Sequence, residues 1–396
     1  MTLATRDPLN AFLAYPDVPV PHAETGPLAG HGLAVKDIFD VAGYRTGGGN
    51  PDKLAESPIA RRTAPAVAAL LDAGARFVGK TQTEELTYSM IGLNAHFPAP
   101  VNPRAVERVT GGSSSGSAAA VAGGLTDIAV GSDTNGSIRA PASFCGLIGL
   151  RTTHGRISLE GAMPLSPAFD TFGWFARDGA LYEAVGAVLL GDDTHAAALT
   201  RPVRVAAFEA LLFGEDERTA YAAMAARVAD SFAAAPATVA LPDETEALFD
   251  AFKVMQAYEA WQVHGPFLEA ADRRLGPGIR QRFDYARSVT RADFEAAADR
   301  RRRFQTAFAG RMAPDTVIVM PSQPSAAPLK SSTQDELERY RNRALTLTAI
   351  AGLLGWPQIT VPLGTVHGAP FGISLLGPAG SDRQLIRLAR RVMGEG

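Results

Sequence analysis

An α/β fold, a sheet with helices packed on its faces, is what the 396-residue sequence predicts. Three observations carry that expectation. Short apolar runs alternate with helix-length segments through the first half. A mostly helical, Ala- and Arg-rich stretch follows, about 216–313. The alternation then returns at Val317. In order, Gly32–Lys36 (GLAVK) reads as a buried strand, and Ala64–Gly74 has helical spacing with a closing glycine. Arg76–Lys80 reads as the next strand, and Ser115–Gly124 as a helix of small residues. Asp127–Gly131 reads as a strand running into a polar turn at Ser132–Ser137. After the helical middle, Val317–Met320, Gln358–Val361 and Phe371–Leu376 read as strands, and Ser381–Met393 as an amphipathic closing helix. The simplest organisation is one domain, 1–396, with a helical insertion and with the C-terminal strands returning to the first sheet.

Composition narrows the function. The net charge is −3, with 46% hydrophobic and 20% charged residues, an ordinary soluble balance that gives no global reason to bind nucleic acid. Cys145 is the one cysteine, so an internal disulfide and a Cys-based zinc site are excluded. The seven histidines lack the short spacing of a helical metal site, and neither a metal nor a cofactor is expected. Met1–Val20 carries Arg6, Asp7 and three prolines where a signal peptide needs an apolar run. Ala344–Trp356 is too short to span a membrane and stops at Pro357. Only five of the 38 basic residues are lysines, a bias that suggests a GC-rich bacterial genome. The expectation is a cytoplasmic enzyme or binding protein for a small molecule. The run Arg300–Arg303 reads as the solvated face of a long helix, with Asp293, Glu295 and Asp299 as counter-charges.

The segment Gly111–Ala142 (GGSSSGSAAAVAGGLTDIAVGSDTNGSIRAPA) carries the chemistry. A flexible linker would not run into a helix and an apolar strand. A Walker phosphate loop needs a lysine, and none lies between 80 and 253. Gly112–Gly116 matches the G-x-S-x-G nucleophile elbow of α/β-hydrolase esterases. That motif needs a preceding strand and a later histidine, whereas Asn102–Thr110 is charged and proline-containing and the available histidine is His367. The remaining reading links two serine turns. Ser113 and Ser137 stand 24 residues apart across a helix–strand unit whose ends can meet. A serine nucleophile needs a base. Lys36, at the end of a buried strand, would be desolvated and so biased toward the neutral amine.

These residues resemble the amidase signature family, serine hydrolases of carboxamides that use a Ser–cis-Ser–Lys triad. GGSSSGSAAAVA with GSDTNGSIRAPASFCGLIGLRTTHGRIS covers almost the whole family signature. VKDIFDVAG resembles the lysine motif, VGKTQTEE the segment between them, and GLLGWPQITVPLG and FGISLLGP the closing strands. The resemblance implies a large mixed sheet covered by helices on both faces. It thins over about 195–335, which becomes a divergent, mostly helical substrate-specificity region. It implies Ser137 as nucleophile, Ser113 (after a cis peptide bond) as proton relay, and Lys36 as general base. Backbone N–H groups of Thr134, Asn135, Gly136 and Ser137 would form the oxyanion hole. Asp133 and Arg139 would brace the turn, and Gly111 and Gly112 would supply a permissive backbone.

Asn135 departs from the family, which usually has glycine there. Asparagine tolerates left-handed backbone, and its side chain could contact substrate. Thr87–Leu93 falls where family members line the acyl pocket, which marks Tyr88 and Met90 as substrate contacts. The run SPAFDTFGWFARD (166–178) is similar to the branch containing plant indole-acetamide hydrolases, which implies an arylacetamide such as indole-3-acetamide. Family members are often dimers. The signature is also shared by the glutamine-hydrolysing subunit of tRNA-dependent amidotransferases, a role for which this chain reads as short. Cys145, His154 and Lys80 read as structural.

Overall fold

Gly32–Lys36 is buried at all five positions, and a strand buried on both faces belongs in the middle of a sheet. In the computed structural model, which describes residues 7–395, this strand, β1, lies between β2 (Arg76–Thr81) and β3 (Ile128–Asp133), parallel to both. Met1–Arg6 of the leader-less N-terminal reading lie outside the described residues. Ten strands are described. The others are β4 (Gly149–Arg151), β5 (Thr171–Ala176), β6 (Arg201–Val205), β7 (Ala237–Val239), β8 (Thr316–Pro321), β9 (Gln358–Val366) and β10 (Ala369–Leu376). They form two hydrogen-bonded mixed sheets, ordered β2-β1-β3-β5 and β4-β9-β10-β8-β6-β7, with helices on both sides.

The expected return of the C-terminal strands to the first sheet does not occur. β8, β9 and β10 build the second sheet, with β9–β10 and β10–β8 antiparallel. The reason is local. β9 and β10 are joined through His367 and Gly368, both at positive φ, a hairpin that pairs the two strands with each other first. The middle is mostly helical and also holds two short strands. β6 and β7 join the second sheet beside β8, although Pro202 and their short length hid them from periodicity. The helices between β7 and β8, Thr245–Glu269, Pro277–Ser288 and Arg291–Ala309, form a wall beside the helix Gln334–Leu354. The last begins with a Thr333–Glu336 capping box and ends at Gly355 in left-handed geometry.

The arginine run on Arg291–Ala309 is less solvated than expected. Arg300 pairs with Asp243, and Arg301 turns inward over the Phe169 ring and donates to the C-terminal carbonyls of Gly352 and Leu353. Arg302 pairs with Asp299 as expected. Among the described residues no helix is long and apolar enough to cross a membrane.

Two features of the first sheet position the site. Its three parallel strands end at one edge, where β1 finishes with Lys36 and β3 with Ser132 and Asp133. The helix Ser115–Ala122 buries only Ser, Gly and Ala over its first six residues, so its N-terminal turn can approach the strand ends closely. Ser117 hydrogen-bonds the Val130 carbonyl at 2.9 Å and fixes the approach.

Candidate functional site

Lys36 is fully buried. Its Nζ donates to Ser113 Oγ at 2.8 Å and to Ser132 Oγ at 3.0 Å. Burial draws its pKa down from 10.5 to about 7, against the opposing charges of Asp133, Asp170 and Glu84. The amine is therefore available in its neutral form near pH 7. Ser132 was not singled out in the sequence. It shares the β3 face of Val130, and strand alternation aims it at the end of β1.

Ser113 follows a cis Gly112–Ser113 peptide, and Gly111 before it has φ +74. The Ser113 carbonyl accepts from the Glu84 amide (3.1 Å) and the Thr83 hydroxyl (3.0 Å), while Ser114 N–H donates to the Ser137 carbonyl at 3.4 Å. The two serine turns thus lie side by side. A Cβ at Gly112 would collide with the Glu84 carboxylate, and one at Gly111 with Pro141 and Phe144. Among the described residues the Ser137 hydroxyl makes no hydrogen bond, and it lines a cavity of about 300 Å³ together with Thr134 and Asn135.

The Ser137 turn is tied to one carboxylate. Asp133 accepts the backbone N–H groups of Gly136 (2.8 Å), Ile138 (3.1 Å) and Arg139 (3.3 Å), plus the Arg139 side chain at 2.8 and 3.0 Å. Arg151 adds contacts to Asp133 and to the Asp133 and Thr134 carbonyls. Burial would raise the Asp133 pKa, but the two guanidiniums hold it well below the usual carboxylate range. Asp133 and Arg139 stand where the sequence reading puts the brace. Arg151 is a second clamp that it missed, because nothing in GLIGLRTTHG marks an arginine as buried.

One expectation needs correction. The Gly136 amide is already committed to Asp133, which leaves Thr134, Asn135 and Ser137 as the turn's free amides among the described residues. The left-handed geometry also falls on Gly136 (φ +99) and not on Asn135. Asn135 is pinned to the helix Gln334–Leu354, accepting from Thr348 Oγ1 at 2.8 Å and donating to the Leu345 carbonyl at 3.4 Å. Its side chain builds a wall of the cavity.

Tyr88 and Met90 line the same cavity, together with Gln256, Arg341 and Leu345 of the helical wall. A second cavity, about 830 Å³ and mainly apolar, reaches Ser132 and shares Thr87, Thr134 and Leu165 with the first. Thr87 holds φ +60, a genuine outlier for a β-branched residue, where the two spaces meet. Asp170 lines the larger cavity. It accepts from Thr134 Oγ1 at 2.5 Å and from the Leu165 and Ser166 amides, and burial lifts its pKa to about 6. Within the run 166–178, Asp170 and β5 support the Ser137 turn, and Pro167 joins Asp170 in lining the larger cavity.

Other readings resolve on geometry. Ser114, the elbow serine of an esterase, donates to the Ser132 carbonyl, and His367 bonds Glu217 at 2.8 Å, so the elbow has no base. Lys80 is an anchor, with its Nζ 3.1 Å from Asp37 and 2.7 Å from the Phe39 carbonyl. Cys145 is buried and its thiol is pushed up to about 12, which makes it inert. His154 bonds the Pro167 carbonyl. Among the described residues no group of three or more His, Cys, Asp or Glu side chains is arranged to hold a metal ion.

Comparison with known proteins identifies the family of the chain. The family model described as Amidase matches residues 14–386. Amidase 1 of Arabidopsis thaliana is 34% identical, covering 98% of this chain and 98% of its own. A glutamyl-tRNA(Gln) amidotransferase subunit of Methanospirillum hungatei is 30% identical over 98% of this chain and 97% of its own, so length does not separate the two roles. A solved structure described as an amidase superposes with TM-score 0.86 at 29% identity, covering 99% of this chain and 93% of that one.

Proposed function

The chain belongs to the amidase family, and from that premise we propose that it hydrolyses a small carboxamide to a carboxylate and ammonia or an amine through an acyl-Ser137 intermediate. Ser137 Oγ attacks the carbonyl carbon. Its proton passes to Ser113 Oγ as the Ser113 proton moves to Lys36 Nζ. The oxyanion is met by the Thr134, Asn135 and Ser137 amides. Collapse expels the amine, which takes a proton back along the same relay, and water then attacks the acyl ester with Lys36 again as base.

The observation that carries this reading is the buried Lys36 amine, drawn to about 7 and bonded to Ser113 at 2.8 Å beside the Ser137 turn. Asp133, Arg139, Gly111 and Gly112 are positioning residues. Tyr88, Met90 and Asn135 are proposed substrate contacts, and the 195–335 region is proposed to set specificity by contributing Gln256 to the cavity. The test is a panel of primary amides, with indole-3-acetamide as the neutral arylacetamide. Wild type turns over at least one member, and a folded Ser137→Ala protein turns over none. Full activity in that variant removes Ser137 from its role.

A second reading, the glutamine-hydrolysing component of an amidotransferase, is favoured by the whole-length match to such a protein. Size exclusion of native protein separates the two: a lone chain or homodimer supports the free amidase, and co-purifying partner chains or tRNA support the assembly.

A further inference from the structure

Away from Lys36, the Ser137 cavity adjoins a vestibule of about 820 Å³, and Ser89 and Arg341 line both spaces. Two guanidiniums stand at this junction. Arg282, from the helix Pro277–Ser288, donates to the Tyr88 carbonyl at 3.0 Å, and among the described residues it has no carboxylate within 4.0 Å. Arg341, from the helix Gln334–Leu354, has only Glu338 on its own helix, at 3.4 Å from Nη1. Its Nε is buried with no hydrogen-bond partner. The two cations are close enough to oppose each other's charge. The buried acid nearby, Glu84, attracts both guanidiniums, yet among the described residues it forms no ion pair within 4.0 Å with either, and its Oε2 is itself unpartnered.

A half-buried pair of like charges with an unused donor is unfavourable for the fold by itself. It is the arrangement that holds an anion, because a guanidinium offers forked donors matched to a carboxylate. Ser137 and Arg341 line the same cavity of about 300 Å³, so a molecule reaching both is short.

We propose that the substrate carries a carboxylate as well as the scissile amide: a monoamide of a small dicarboxylic acid, with its carboxylate on Arg341 and Arg282 reinforcing the positive field. The proposal rests on the amidase reading and names its substrate class. Arg341 is then a binding residue.

The experiment measures kcat/KM for monoamides of dicarboxylic acids with two to four carbons between the carbonyls, for the neutral diamides of the same lengths, and for indole-3-acetamide. Wild type is expected to prefer the acid over the matched diamide by about 10- to 100-fold, the range of a hydrogen bond to a charged group. Arg341→Met is expected to bring that ratio close to one, mainly through KM, and Arg341→Lys to restore part of it. Should Arg341→Met fail to fold, the wild-type ratio and competitive inhibition by the free dicarboxylates still decide. A wild-type ratio near one, a ratio unchanged in folded Arg341→Met, or no turnover of any acid monoamide overturns the proposal. Turnover of neutral amides with Ser137 labelled by a serine-reactive probe leaves the amidase reading standing while the carboxylate proposal falls. If no amide is hydrolysed and Ser137 is not labelled, both fall.

Discussion

The Ser137 turn and the helical wall facing it treat charge in opposite ways. At the turn, Asp133 is fully buried and is met by three backbone amides and two guanidiniums that hold one loop shape, with the Arg151 Nε left without a partner. In the wall, Arg300 and Asp243 pair at a partly exposed edge, and Arg341 keeps a buried donor with nothing to bond. Charges saturated by their own protein serve the scaffold. A charge left unsaturated beside a cavity is available to a ligand. The chemistry and the selectivity of this protein are thus built in different regions and respond differently to mutation.

The largest effect is expected in the turn. Lys36→Ala or Ser137→Ala lowers kcat by about 10⁴-fold or more, as removal of one member of a catalytic unit does, with circular dichroism unchanged. A fall of less than tenfold in either would detach that residue from the chemistry. Next comes Asp133→Asn. Leaving Arg139 and Arg151 buried without their anion costs about 3–5 kcal/mol in denaturant unfolding. Because the folded Asp133 carboxyl lies below its ordinary 3.8, its stabilisation is present above about pH 4 and drains away as the pH falls below that value.

Lys36→Met sharpens the contrast, since activity and stability move in opposite directions. The folded amine is depressed from 10.5 to about 7, so between those values the unfolded chain binds the extra proton and wild-type stability rises with pH. The inactive variant is therefore expected to melt above wild type at pH 6–7, with the gap narrowing toward pH 10. A constant gap would contradict the buried-amine assignment. The smallest effect belongs to the wall: Asp243→Asn, at an exposed pair with Arg300, shifts stability by under about 1 kcal/mol.

The same division governs what could be read from sequence. Lys36, Ser113, Ser137, Asp133 and Arg139 sit in contiguous glycine- and serine-rich motifs whose spacing has a mechanical meaning. The strands β1 and β3 were legible because a doubly buried strand is a continuous apolar run. Ser132 lies inside the segment that carries the motif, yet its role depends on which face of β3 it takes, and composition does not show that. Gly136 reads as an oxyanion donor, although its amide is bound by a carboxylate three residues earlier. The second sheet was misassigned because strand periodicity carries no pairing information. Gln256, Arg282 and Arg341 come from three separate helices and meet only in space. In a chain so rich in arginine, nothing local distinguished the last two.

The central claim is a neutral, buried Lys36 that activates Ser137 through Ser113. Its most direct test is the pH dependence of covalent labelling by a fluorophosphonate, with the adduct mapped by mass spectrometry. The account predicts a single adduct on Ser137, formed at a rate that rises through pH about 7 and then levels. An adduct on another residue, or a rate still climbing through pH 10, would contradict it.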